Sequence, residues 1–246
     1  MIMHDYNKEA KKVVLLLHPM LANGAMMYEL LGKHLGDVRC LAPDFASHGE
    51  EIEHEFISAA KEADAIVKYL KDNQIEKIDL AFGASLGGVV LTELIKRGLK
   101  FDKAFFEGTS FFRGNKLLTK IVASKFIKKH QRAVADYNRA LTAMGQLYGE
   151  AYAVDFAKQF IAMSENSINN IAIACGDNKS ANLDEAKQAA CTFAYGSKDP
   201  NLIVAKKRVH KYYPKAKLVL WEGYDHCEKI VADTAEYIKM LKTYMN

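Results

Sequence analysis

Ile78-Asp79-Leu80-Ala81-Phe82-Gly83-Ala84-Ser85-Leu86-Gly87-Gly88-Val89-Val90 is the stretch that decides the reading of this chain. Its first five residues form a short apolar run, too short for a helix and typical of a buried strand. The apolar pattern resumes after Ser85 and continues to Leu94 with helical spacing. Between them stands Gly83-Ala84-Ser85-Leu86-Gly87, a G-x-S-x-G element set between strand and helix. That spacing describes a sharp turn with a serine at its apex, a nucleophile elbow. Glycines at both flanks remove the Cβ atoms that would clash in so tight a bend. Ser85 then sits at the N-terminus of a helix, where free N–H groups and the helix dipole favour negative charge.

Outward from the elbow, short apolar runs alternate with amphipathic stretches. The runs are Val13–Leu17, Val38–Ala42, Ala104–Phe106, Cys191–Tyr195 and Leu218–Trp221. Phe56, Ala59, Ala63, Ile66, Val67 and Leu70 share one helical face, as do Ile230, Thr234, Tyr237, Ile238 and Leu241. Strand–helix alternation requires crossovers, and so implies a mostly parallel, twisted α/β sheet with helices on both faces. The alternation stops from about Phe111 to Leu183. There the pattern is helical only, with Asn115–Lys129, Gln131–Tyr148, Glu150–Ala162 and Asn166–Ala174 as candidate helices. The expected organisation is a core of residues 1–110 and 184–246, split by an all-helical cap at 111–183.

An alcohol is a weak nucleophile at neutral pH. Ser85 therefore needs a base, and the base an orienting group. Both follow in the order Ser…Asp…His: Asp199 in Tyr195-Gly196-Ser197-Lys198-Asp199-Pro200, and His226 in Trp221-Glu222-Gly223-Tyr224-Asp225-His226-Cys227. Each follows a strand, and loops after the carboxyl ends of parallel strands open on one edge of the sheet. Other roles are open to both: Asp199 as a turn or cap residue before Pro200, His226 as a surface histidine. Asp225 adjoins His226, but chain neighbours seldom face each other well, which favours Asp199 as the orienting acid.

Four ordered motifs now coincide: His18-Pro19-Met20, Asp44-Phe45-Ala46-Ser47-His48-Gly49, Gly83-Ala84-Ser85-Leu86-Gly87 and the Asp199/His226 pair. With them the chain resembles the α/β-hydrolase superfamily from Val13 to about Tyr244, in particular its capped small esterases, thioesterases and carbon–carbon hydrolases. The resemblance implies Ser85 as nucleophile, His226 as general acid/base and Asp199 as orienting acid. It also implies an oxyanion hole from the backbone N–H groups of Met20 and Leu86. Relatives usually carry His-Gly where this chain has His18-Pro19; Pro19 has no N–H, yet the one on Met20 is retained. His18, Asp44 and His48 are expected to hold loops. Relatives also begin with an antiparallel hairpin, for which the dozen residues before Val13 leave little room, so one or both of those strands should be shortened or missing.

For the substrate, Met20 and Leu21 follow a strand at its carboxyl end, and Phe111 and Tyr148 belong to the apolar cap residues. Apolar residues at helical spacing also serve as ordinary cap core. Glu107 ends the strand beside the elbow strand. It is open to three readings: recognition of a polar or cationic substrate group, a displaced triad acid, or a solvated or capping carboxylate.

The expected reaction is hydrolysis of a carboxylic ester or thioester of a small, fairly apolar acyl group through an acyl-enzyme. Two alternatives keep the fold: a C–C hydrolase or lyase using the same triad, with Arg113 and Lys116 as candidate carboxylate contacts, and a ligand receptor or carrier without turnover. No metal or organic cofactor is expected.

Composition agrees with one globular unit. The chain has 246 residues, 50% hydrophobic and 26% charged, and a formal net charge of 34 − 30 = +4. That balance demands neither nucleic acid nor an anionic surface as partner. The basic run Lys125–Arg132 reads as a solvated helix face. Cys40, Cys175, Cys191 and Cys227 lie far apart with no C-x-x-C pair, as expected for free thiols in a reducing compartment. No run is long and apolar enough to span a bilayer. The N-terminus shows no secretion-signal pattern. The expectation is a cytoplasmic protein, monomeric by default, acting on a small molecule.

Overall fold

The computed structural model describes residues 1–111, 114 and 116–245, with the side chains of Lys116 and Leu118 left aside. Arg113 and the side chain of Lys116, the candidate carboxylate contacts, thus lie outside the described residues.

Seven strands form one sheet: β1 Met3–Tyr6, β2 Lys12–Leu17, β3 Val38–Pro43, β4 Ile78–Ala84, β5 Phe101–Glu107, β6 Cys191–Gly196 and β7 Lys217–Trp221. Their order is β1-β3-β2-β4-β5-β6-β7. β1 pairs with β3 antiparallel; every other pairing is parallel. β1, four residues long, lies on the sheet edge beside β3, at the end of the chain where shortened or missing hairpin strands are expected.

The described residues form helices α1 Gly24–Leu30, α2 Ala59–Asp72, α3 Leu86–Lys96, α4 Lys116–Ala135, α5 Tyr137–Tyr148, α6 Glu150–Ala162, α7 Glu165–Gly176, α8 Glu185–Ala189, α9 Leu202–Tyr212, α10 Glu228–Ala232 and α11 Thr234–Met245. The central strands are apolar on both faces because both are covered. Leu15, Leu17, Ala81, Phe106 and Phe193 pack with α2, α3 and α9 on one side. Val14, Leu16, Leu80, Phe82 and Phe105 pack with α1, α10 and α11 on the other. Alternate residues of one strand thus serve two cores, as the two-residue side-chain period requires.

Between β5 and β6 the described chain forms only helices, α4 to α8. The break expected near His130 lies further on. α4 runs to Ala135, and Asp136 caps α5 by accepting the Arg139 N–H at 3.1 Å. An Asp immediately before a helix satisfies an otherwise orphaned N–H, which sets the boundary more firmly than the polar run does.

Candidate functional site

The elbow is built as its sequence requires. Ser85 takes φ 50° and ψ −109°, a strained region for a non-glycine residue, and begins α3. A Cβ on Gly87 would stand 2.1 Å from the Leu17 carbonyl oxygen, so only glycine lets α3 approach the end of β2. The Ser85 N–H donates to the Glu107 carbonyl at 2.7 Å, tying the elbow to the end of β5.

Three parallel strands deliver three side chains to this edge. The His226 ring lies between Ser85 and Asp199, with Nε2 2.9 Å from Ser85 Oγ and Nδ1 2.8 Å from Asp199 Oδ2. The Asp199 side chain is fully buried, whereas that of His226 is 30% exposed. Asp199 Oδ1 accepts the Asn201 N–H at 2.8 Å, so the carboxylate is held on both oxygens. The loops after β6 and β7 are joined by their backbones: the Ser197 N–H donates to the Trp221 carbonyl and the Lys198 N–H to the Tyr224 carbonyl. Gly108, at φ +61°, gives the His226 ring its place, since a Cβ there would lie 2.9 Å from Cε1. Burial opposes charge on His226. The adjoining Cys227 thiol and the Asp199 carboxylate outweigh it and hold the pKa well above the ordinary histidine value.

The loop after β2 makes a tight turn in which the Ala22 N–H donates to the Pro19 carbonyl at 3.2 Å. Leu21 carries the positive φ of 78° that such a turn needs at its third position. Among the described residues, neither the Met20 N–H nor the Leu86 N–H has an acceptor. Leu21, Ser47, Ser85 and Cys227 all have positive φ, and all lie in loops after parallel strands at this edge. Strain gathered at one edge is a common mark of a working site.

His18 is fully buried. Its Nε2 accepts the Phe45 N–H at 3.0 Å, so Nδ1 carries the proton and donates to the Pro19 carbonyl at 2.8 Å. Burial, with His48 beside it, pushes its pKa well below the usual range. The ring thus holds two loops as a neutral imidazole. Asp44 accepts the N–H groups of Gly24 and Glu50 at 2.7 and 2.8 Å. His4, Asp44 and Glu50 are the grouping of metal-ligating atoms among the described residues, and the Asp44 oxygens there already serve the loop.

Glu107 fits none of its three expected readings. Its side chain is fully buried and turned to the α11 side of the sheet, so it meets neither substrate nor solvent. Oε2 accepts from Trp221 Nε1 at 2.9 Å and Tyr237 Oη at 2.8 Å, and Oε1 has no partner. Burial pushes its pKa up to about 7 despite these two bonds. Strand alternation explains the placement: Phe106 takes the face toward α3, so Glu107 must take the opposite one. Phe111 is also drawn away, packed on Phe193 and Tyr213 with ring centroids 5.6 and 6.3 Å apart. Tyr148 closes α5 near His226, its ring edge-on to Phe156 at 4.9 Å. Sequence reading missed Asn201, whose signal was only an Asn two residues after Asp199. It also missed Gln159 of α6, which accepts the Gly49 N–H and donates to the Ser47 carbonyl, joining α6 to the loop after β3.

A groove of about 860 Å³ opens between α1 and α6, bordered by Met26, Tyr152 and Gln159. A smaller cavity of about 360 Å³ lies beside Phe111, Asn178, Arg208 and Tyr212. Ser85, Asp199 and His226 line neither.

No family model and no curated protein sequence matches the chain. Solved structures match it over nearly their whole length. A carboxylesterase from Nitrososphaera gargenis aligns with TM-score 0.76 at 16% identity, covering 99% of this chain and 93% of that one. An esterase from Exiguobacterium antarcticum aligns with TM-score 0.76 at 16% identity, covering 99% and 94%. MenH from S. aureus aligns with TM-score 0.74 at 18% identity, covering 99% and 97%. With the sheet order and the inserted helices described above, the chain has the α/β-hydrolase fold.

Proposed function

We propose that this protein is a serine hydrolase that cleaves a carboxylic ester or thioester of a small, fairly apolar acyl group. The observation that carries the reading is the His226 ring, set within hydrogen-bond distance of both Ser85 Oγ and Asp199. That constellation raises the nucleophilicity of an alcohol that would otherwise be inert.

On this reading Nδ1–H of His226 donates to Asp199, which leaves Nε2 free to accept the Ser85 proton. Ser85 Oγ attacks the acyl carbonyl, and the oxyanion is received by the N–H groups of Met20 and Leu86. One such donor contributes about 3 kcal/mol to the transition state. His226 then protonates the leaving alcohol or thiol. It next takes a proton from water, which attacks the acyl-enzyme and frees the acid. Residues 111–183 act as the cap over a core of 1–110 and 184–246. The Gln159 bonds to the loop after β3 and the closeness of Tyr148 to His226 support that division. Tyr148, Met20 and Leu21 border the acyl site.

The test is intact-mass labelling with a fluorophosphonate, then p-nitrophenyl esters of increasing chain length. One adduct on the parent and none on Ser85→Ala is the expected result. A folded parent that takes no adduct and turns over no ester would overturn the reading.

A further inference from the structure

We propose that the outward face of α4 is a docking surface for an anionic lipid bilayer. Leu117, Ile121, Lys125, Lys128 and Arg132 follow one another at steps of four, four, three and four residues, which places them on one stripe. The opposite stripe holds the buried Ala123, His130 and Ala133, so the first stripe points outward. Single exposed apolar residues occur on other helices, such as Ile203 of α9 at 70%, but on α4 two of them stand one turn apart on the stripe that carries the cations. Here Leu117 is 70% exposed and Ile121 45%. α4 therefore has apolar residues on two faces, and the fold accounts for only one of them.

The charge is one-sided. From Lys116 to Ala135 the sequence has Lys116, Lys120, Lys125, Lys128, Lys129 and Arg132 and no Asp or Glu. Among the described residues, the ion pairs include none of Lys120, Lys125, Lys128, Lys129 or Arg132. This chain's net charge of +4 is thus smaller than the charge α4 carries.

These features choose between occupants. A second copy meeting this face across a two-fold axis would bring two sets of Lys125, Lys128 and Arg132 into one interface with no acidic residue of α4 to pair them. Nucleic acid would satisfy the cations but leave Leu117 and Ile121 without an apolar partner. An anionic bilayer takes both: headgroups pair with the cations while Leu117 and Ile121 enter the acyl boundary. No described helix is long and apolar enough to cross a membrane, so α4 lies on the surface. The inference does not depend on the chemistry at Ser85.

The test is flotation of the full chain with phosphatidylcholine vesicles, with and without about a quarter phosphatidylglycerol. The parent should partition to the anionic vesicles and not to the neutral ones. Lys125→Gln with Lys128→Gln should weaken partition about 25-fold, roughly fivefold for each cation lost near such a surface. Leu117→Ser with Ile121→Ser should also weaken it, while keeping all charges. Thermal melts of both variants should match the parent, because the substituted side chains are outside the core. Failure of the parent to float with anionic vesicles would overturn the proposal. So would equal partition by the Leu117/Ile121 variant, which would point to a soluble polyanion bound through charge alone.

Discussion

The Asp199 carboxylate is 2.8 Å from His226 Nδ1, and its second oxygen is fixed by the Asn201 N–H. A group so held decides which nitrogen of the ring carries the proton. Asp199→Asn would present an amide that can donate to Nδ1, leaving the proton on Nε2, where it faces Ser85. On the proposed mechanism kcat should fall on the order of 10³–10⁴-fold with little change in Tm. Steady-state kinetics on p-nitrophenyl acetate checks this; a loss under about tenfold would remove Asp199 from the orienting role.

The raised pKa of His226 has a kinetic consequence. A base must be unprotonated, so kcat/KM should rise with pH through a midpoint above the ordinary value of 6.5. Loss of the Asp199 charge should move that midpoint toward acid. A profile measured on the parent and on Asp199→Asn gives both positions, and an acid limb below 6.5 in the parent would contradict the arrangement.

Glu107 should make stability fall as pH rises. Its folded pKa of about 7 lies above the ordinary 4.5, so the unfolded chain releases this proton first. Between those values the folded state binds more protons, and stability declines from about pH 4.5 to about pH 7, by about 3 kcal/mol in all. Glu107→Gln keeps an oxygen for Trp221 and Tyr237 and removes the titration. The variant should therefore lose this decline, which urea melts across the window will show. His48 works in the opposite sense in an overlapping window. Burial lowers its pKa from 6.5 to about 4, so it removes stability as pH falls through that range, and Glu107 must be read as the difference between parent and variant.

Gly87 and Gly98 separate crowding from backbone preference. A Cβ at Gly87 meets backbone 2.1 Å away, which no side-chain rotation relieves. Gly87→Ala should cost about 3 kcal/mol or more and deform the elbow. At Gly98, with φ +83°, a Cβ meets nothing within 4 Å, so alanine there should cost only about 1 kcal/mol. Similar losses at both positions would mean that the elbow has room to relax.

By itself the sequence determined the elements whose physics is local. Apolar runs too short for helices became the central strands, and Gly83, Ser85 and Gly87 specified a turn that few other residues permit. The order Ser85, Asp199, His226 was legible because each residue lies in the turn or loop that follows a parallel strand. Tertiary structure decided what local pattern cannot carry. Glu107 looked like an edge carboxylate, but strand alternation and the Trp221 and Tyr237 donors drew it into the opposite core. Phe111 read as a substrate contact; its ring packs on Phe193 and Tyr213, beside a cavity that Ser85, Asp199 and His226 do not line. The run Lys125–Arg132 read as a solvated face; only burial of the opposite stripe showed that Leu117 and Ile121 share its outward side. Periodicity places a residue on a face of its own element. Which face is covered, and by what, depends on contacts made by residues far apart in sequence.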